Sequence, residues 1–175
     1  YSKDGPLNMR FDGNEKLSAK NYKNNINENE FAEILKIYGD VANPKKIAKN
    51  IIKNKYKMNT TLDLINAIPD YPNKLYSKIF QAIRIAVNQE IESFKKALTI
   101  APNYLKKNGR IAVISFHSIE DRITKHFFKN NRIINERDYY DLDIIDNGIS
   151  LNILTKKPIM ASDIEIKNNK RSRSA

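Results

Sequence analysis

Apolar residues recur at helical spacing through most of the chain up to residue 100, and the period changes only beyond that point. Phe31, Ile34, Leu35 and Tyr38 fall on one face, and Gly39 behind them is a natural C-terminal stop. Asn43-Pro44 reads as an N-cap followed by proline at the first helical position. Ile47, Ala48, Ile51, Ile52 and Tyr56 then form an apolar stripe opposite Lys45, Lys46, Lys49 and Lys53. Thr60 or Thr61 caps a short helix through Ile68, ended by Pro69. Pro72-Asn73 opens the longest predicted helix, through about Lys96 or beyond, with Phe80, Ile83, Val87, Ile91, Phe94 and Leu98 three or four apart. Residues 1–12, with the turn signal Asp4-Gly5-Pro6, and the Asn-rich residues 13–29 read as loop.

After the turn at Asn108-Gly109 comes a short run rich in β-branched residues, Ile111-Ala112-Val113-Ile114-Ser115-Phe116. It predicts a strand buried on both faces, as in a parallel sheet. Ser118-Ile119-Glu120-Asp121 matches the capping-box pattern and opens a helix to about Phe128. Strands are expected near 139–145 and 149–155, joined across Asp146-Asn147-Gly148, a strong hairpin signal. Ser162-Asp163-Ile164-Glu165 opens a last short helix before a basic, polar tail. One buried strand and a hairpin do not complete a doubly wound sheet, so the other strands are expected outside this chain, before Tyr1. No internal repeat is visible.

Composition narrows the classes. With 175 residues, 41% of them hydrophobic, the chain can bury the core of about one domain and is not of the disordered type. It has no apolar run long enough for a membrane helix, no signal peptide and no initial Met. The absence of Cys excludes disulfides, thiolate zinc sites and Cys nucleophiles. Two histidines, His117 and His126, are too few for a His-rich metal site, and no metal is expected. A cytoplasmic location is the default. The net charge of +11, from 31 Lys plus Arg against 20 Asp plus Glu, suits a polyanionic partner. The same lysines suit a solvated surface in a protein from an AT-rich genome, and charge alone does not choose between the two.

Five glycines, Gly5, Gly13, Gly39, Gly109 and Gly148, lie too far apart for a phosphate-cradling loop. Three segments carry candidate chemistry. In open α/β sheets ligands sit beyond the carboxyl ends of strands. There Ser115, His117, Ser118, Glu120 and Asp121 offer hydroxyls, an imidazole and acceptors suited to a flat polar ring. The plainer reading is a helix cap with a Glu120–Arg122 surface pair. Asp4, Arg10 and Asp12 can line a cleft or belong to an ordinary surface loop. Gln81, Arg84 and Asn88 share one face of the long helix, either as a solvated flank or as a packing face from which Arg84 reaches an acid or a phosphate.

These segments resemble one family. The stretch from Asp4 to Asp12 resembles "DGPLDMRMD", Phe80 to Glu90 "FQALRIAVNDEL", and Ile111 to Arg122 "LAVISFHSLEDR". Leu154-Thr155-Lys156-Lys157-Pro158-Ile159 and the ending Asn169-Lys170-Arg171-Ser172-Arg173-Ser174-Ala175 resemble "LTKKPI…NPRARSA". All occur, in this order, in the 16S ribosomal RNA cytosine-N4 methyltransferases, the RsmH or MraW family, and the resemblance spans essentially the whole chain. It implies an α/β fold: part of a class I, Rossmann-like methyltransferase sheet with an inserted helical substrate-recognition domain. Residues 1–12 would form a cofactor-side loop of the methyltransferase domain, 13–100 the mostly helical insertion, and 101–175 the carboxy-terminal strands and helices.

The function implied is S-adenosylmethionine-dependent N4-methylation of a cytidine in 16S rRNA, with the small ribosomal subunit as partner. The family's glycine-rich cofactor motif precedes the region matched, so the chain reads as the carboxy-terminal part, which leaves open whether this length is active by itself. By resemblance, Ser115, His117, Ser118, Glu120 and Asp121 place the base or hold its loop, and Asp4, Arg10 and Asp12 support the cofactor side. Lys156, Lys157, Lys170, Arg171 and Arg173, with lysines of the insertion, hold RNA phosphates, and Gln81, Arg84 and Asn88 are structural. Departures are Asn8 in place of an acid, Lys78 in place of an Arg, and Asn108-Gly109 in place of Gly-Gly. A non-catalytic RNA-binding fragment and an N4-cytosine methyltransferase for another nucleic acid are the alternatives, and a homodimer is left open.

Overall fold

The computed structural model describes residues 3–12, 18–131 and 151–174. The chain divides into two compact units, Tyr1–Glu90 and Ile91–Ala175.

The first unit is helical and built around its caps. Helix α1 (Ala19–Asn25) starts where the Ser18 hydroxyl accepts from the Asn21 amide at 3.4 Å. It corrects the expectation of a loop for residues 19–25, and 13–17 lie outside the described residues. The segment carries little apolar pattern, and its first amides are satisfied by tertiary partners: Ala19 N donates to the Asn8 carbonyl (2.7 Å) and Lys20 N to that of Leu7 (2.9 Å). Helix α2 (Glu28–Gly39) opens with a full capping box. Asn27 Oδ1 accepts from Glu30 N, and Glu30 Oε2 accepts from Asn27 N. Its Phe31, Ala32 and Leu35 are buried, with Ile34 and Tyr38 packed partly into the same core.

Gly39 is the last residue of α2, and the left-handed stop is Asp40, at φ 46°. Glycine is needed at 39 for space. A Cβ there would stand 2.8 Å from the Lys78 carbonyl oxygen and 3.2 Å from Ala82 Cβ, on the helix that packs against α2.

Helix α3 (Pro44–Lys53) buries Ile47, Ala48 and Ile51 and exposes its lysines. Its apolar stripe was expected to continue to Tyr56. Instead Asn54 leaves the helix, the chain makes a 3₁₀ turn at Lys55–Lys57, and Tyr56 is 76% exposed, while Met58 takes the buried place. Helix α4 (Thr61–Asn66) carries a second capping box, between Thr60 and Asp63.

Helix α5 (Asn73–Asn88) buries Tyr76, Ile79, Ala82, Ile83, Ile85 and Val87. The single long helix expected here breaks at Gln89, whose φ is 51°, and resumes as α6 (Glu90–Ile100). The apolar spacing continues across the break, so periodicity alone does not reveal it. What fills the turn is a two-pronged pair, Arg84 Nε to Glu90 Oε1 at 2.8 Å and Arg84 Nη2 to Glu90 Oε2 at 3.0 Å.

In the second unit α6 buries Ile91 and Leu98, and α7 (Ser118–Asn130) and α8 (Asp163–Asn168) follow. Ser162 caps α8 as expected, accepting from Glu165 N at 3.3 Å. The segment 111–116 does not form the strand buried on both faces. Ile111, Val113 and Ser115 are half-buried, Ala112, Ile114 and Phe116 are exposed, and the segment pairs with no strand among the described residues. A strand interior needs neighbours on both sides to take up its amides and carbonyls. Between described residues the β pairing is one antiparallel bridge, Pro6 with Thr60. The helix after it is capped by His117, one residue ahead of the Ser118 expected. The hairpin at 146–148 and the strand at 139–145 lie outside the described residues, as do 149 and 150. Of the remainder, Leu151 N donates to the Asn131 carbonyl at 2.7 Å.

Gly39→Ala forces either Lys78 or the α2–α5 packing to move. Overpacking of this kind costs about 1–3 kcal/mol, equivalent to a fall in Tm of at least about 4 °C in a unit this size. Thermal unfolding followed by circular dichroism checks this, and an unchanged Tm contradicts it.

Candidate functional site

The segment 4–12 is the first of the chemistry-bearing stretches, and the first unit holds it from three sides. Leu7 anchors it, 2% exposed in the core. Toward α4, Leu7 N donates to the Asn59 carbonyl and Thr61 N donates to that of Gly5, both at 2.9 Å. Toward α1, its carbonyls take the helix's first amides, as described above. Toward α5 the joint is Asn88. Its Nδ2 donates to the Met9 and Arg84 carbonyls, each at 2.8 Å, and its Oδ1 accepts from Phe11 N at 3.1 Å. Met9 sits at φ 61°, a region β-carbon-bearing residues seldom enter, and this clamp holds it there.

Each sequence-selected side chain here has a protein partner. Asp4 Oδ1 accepts from Gly5 N (2.9 Å), Leu62 N (3.2 Å) and the Thr61 hydroxyl (3.3 Å). The Leu62 amide is the main cause holding its carboxyl below the ordinary value of 3.8. Arg10 donates to the Val87 carbonyl at 2.5 Å and makes a two-pronged pair with Asp12, which raises its already high pKa. Of the α5 strip, Arg84 reaches an acid, Glu90, Gln81 donates to the Tyr38 carbonyl at 3.2 Å, and Asn88 is the clamp. Lys78, where the family pattern has Arg, donates to the Asp40 carbonyl and carboxylate at 2.8 and 3.1 Å.

Between these elements lies a hollow of about 480 Å³, lined by Met9, Arg10, Phe11, Phe80, Gln81 and Arg84, with Thr61 and Ser77. Phe11 stands 74% exposed. Thr61, Ser77 and Phe80 were not singled out as site residues, since only long-range packing brings them to Arg10. Asp4 is thus engaged by two backbone amides and the Thr61 hydroxyl, and Asp12 by Arg10.

The other cluster lies in the second unit, at the start of α7. His117 is its N-cap, and Nδ1 accepts from Glu120 N at 3.3 Å. The neutral ring therefore carries its proton on Nε2. That nitrogen is buried and lies 3.4 Å from Glu120 Oε1, but in a geometry that makes no hydrogen bond. Glu120 Oε2 accepts from Phe116 N at 2.8 Å, tying the preceding segment to the helix. Ser115 is half-buried, and Ser118 and Asp121 are exposed. Lys156, Lys157, Lys170, Arg171 and Arg173 are all exposed as well. Among the described residues no group of three or more His, Asp or Glu side chains is placed to hold a metal ion, and no helix is long and apolar enough to cross a membrane.

Asn88→Ala removes three hydrogen bonds and leaves the Phe11 amide and Met9 carbonyl without their partner. The expected loss is about 1–3 kcal/mol, with hydrogen exchange at Phe11 N accelerated, and an unaltered exchange rate there contradicts the clamp. Asp63, which accepts from Asn59 N (2.8 Å) and Thr60 N (2.9 Å), is also held below 3.8, chiefly by the Asn59 amide. A lowered carboxyl pKa contributes stability that is present above the unfolded value and lost as pH falls through the folded one. The Tm difference between the wild type and Asp63→Asn should thus be full above about pH 5 and close as pH drops below 3.8. A difference that stays constant down to pH 2 contradicts this account.

The chain matches the model of the MraW methylase family over residues 1–175. It is 43% identical over 185 residues to a Caldicellulosiruptor saccharolyticus protein named ribosomal RNA small subunit methyltransferase H, covering 100% of this chain and 60% of that protein. Identically named proteins of Aster yellows witches'-broom phytoplasma and Prochlorococcus marinus subsp. pastoris are 42% and 41% identical, again over 100% of this chain and over 58% and 56% of theirs. The chain thus spans somewhat more than half the length of the curated relatives it matches. A match through every position, including both clusters just described, establishes that the chain belongs to the MraW methylase family.

Proposed function

We propose that this chain is part of an S-adenosylmethionine-dependent methyltransferase that modifies N4 of a cytidine in 16S rRNA of the small ribosomal subunit, in the cytoplasm. The observation that carries it is the match, over the whole of this chain, to relatives named as small subunit ribosomal RNA methyltransferases. In this reading residues 1–12 and 101–175 belong to a class I, Rossmann-like methyltransferase domain, and 13–100 is the helical insertion. The segment 111–116, rich in β-branched residues, would be one strand of that domain's sheet. The methyl-donor site would be completed by sequence of the kind that makes the relatives longer, with Arg10 and Asp12 as a wall of it.

The donor supplies an electrophilic methyl carbon, and the cytosine amine is a poor nucleophile because its lone pair is delocalised into the ring. Enzymes overcome this mainly by placement, and the base must leave any stack to be reached. Here the geometry divides the labour. His117 accepts from the Glu120 amide and Glu120 accepts from the Phe116 amide, and together they brace the turn. Ser118 and Asp121, exposed on the first turn of α7, are free to meet the polar edge of the base and accept its N–H hydrogens, with Ser115 beside them. Lys156, Lys157, Lys170, Arg171 and Arg173 would neutralise phosphates, so RNA binding should weaken steeply with salt.

The test is transfer of a labelled methyl group to small-subunit RNA by the full-length gene product containing these residues. Asp121→Asn and His117→Ala should each lower turnover at least about tenfold, the scale of a misplaced reacting group, with the fold retained. Turnover equal to wild type in both sinks the assignment of this turn. Faster transfer to DNA than to RNA would sink the substrate assignment.

A further inference from the structure

Tyr56 is where the apolar pattern and the structure part company, and it stands beside the most one-sided charge in the chain. Residues 41–62 contain the lysines 45, 46, 49, 53, 55 and 57 and no acidic residue. The nearest carboxylates in sequence are spent elsewhere, Asp40 on Lys78 and Asp63 on the cap of α4. Lys45, Lys49 and Lys53 recur every four residues, a rise of about 6 Å each along α3, and all three are exposed with Lys46 and Lys57.

The end of this row is fixed in place. Lys23, buried at 3% exposure, donates from Nζ to the Lys55 carbonyl and to Asn24 Oδ1 (3.0 Å). Lys55 Nζ in turn donates to the Asn24 carbonyl at 2.9 Å and lies 5.2 Å from the centre of the Tyr56 ring. Burial, with Lys20 and Lys55 nearby, lowers the pKa of Lys23. Two lysines are thus used to pin one turn, and the ring that turn presents has a cation on one face while 76% of the residue remains open to solvent.

We propose that the α3 lysine row and Tyr56 form a docking surface for single-stranded RNA, with phosphates along the lysines and one unstacked base on the Tyr56 ring. A polyanion alone would explain the lysines. A held, exposed aromatic at the end of the row adds what a single strand can use and a duplex, with its base faces stacked, cannot. The surface is separate from the hollow at Arg10, and its use in catalysis rests on the function proposed above.

The experiment is fluorescence anisotropy of a labelled oligouridylate of roughly 12 nucleotides on the full chain across salt concentrations. Circular dichroism of each variant shows that it is folded. Lys46→Gln with Lys49→Gln should reduce the slope of log affinity against log salt by about 1.4, from about 0.7 per phosphate on a single strand. Tyr56→Ala should weaken binding about 5- to 150-fold at fixed salt with the slope unchanged, and Tyr56→Phe should bind as wild type. No binding by the wild type, a Tyr56→Ala variant equal to it, or duplex RNA or polyglutamate competing as well as the single strand each overturns the proposal. Methyl transfer is read separately. Oligouridylate binding that depends on Tyr56, in a full-length protein without transfer, defeats the function above and leaves this surface standing.

Discussion

The side-chain amide of Asn88 is the joint from which the amino-terminal segment hangs. Residues 4–12 form no regular element, and among the described residues one bridge is their only β pairing, so their amides and carbonyls find partners one by one. Helix α1 lends its first two amides, the chain at 59–61 lends an amide and a carbonyl, and Asn88 supplies a donor and an acceptor in one group. A side-chain amide does both without charge, from two separate atoms. With it in place, Met9 tolerates a left-handed backbone and Arg10 is delivered to the Val87 carbonyl and to Asp12.

The same economy appears at the helix ends. Asn27, Thr60 and Ser162 are ordinary side-chain caps, whereas Asp4 adds a cap from far away in sequence, accepting from Leu62 at the start of α4. The loop that carries the first of the matched motifs is therefore also part of the folding apparatus of the helical unit. Its acids serve as acceptors within the unit, Asp4 for the Leu62 amide and Asp12 for Arg10.

Much of this was legible in the sequence, because strong local signals agree with the packing. The face of α2, the proline start of α3, the cap of α4 and the course of α5 follow from residue pattern alone. What escaped is long-range. Helix α1 has almost no stripe and owes its start to Leu7 and Asn8. The break at Gln89 interrupts an apolar spacing that runs on undisturbed, and it depends on the Arg84–Glu90 pair. Tyr56 fits a stripe by arithmetic but falls beyond the residue at which the helix ends. The segment 111–116 has the composition of a buried strand but needs neighbours that the described residues do not supply. In each of the two units the pattern singled out polar residues, His117 and Glu120 in one, Arg10 and Asn88 in the other. It did not show which would be bound to each other and which left exposed.

The clamp at Asn88 also sets an order of events during synthesis. Arg10 and its acceptor Val87 are 77 positions apart, as are Phe11 and Asn88. At roughly 5–20 residues per second, the segment waits about 4–15 s on the ribosome before its joint exists. Helices α2 and α3, with caps and apolar faces of their own, have that interval to associate first. The piece of the unit translated earliest is thus among the last to settle, and it closes over a helical layer that is already assembled.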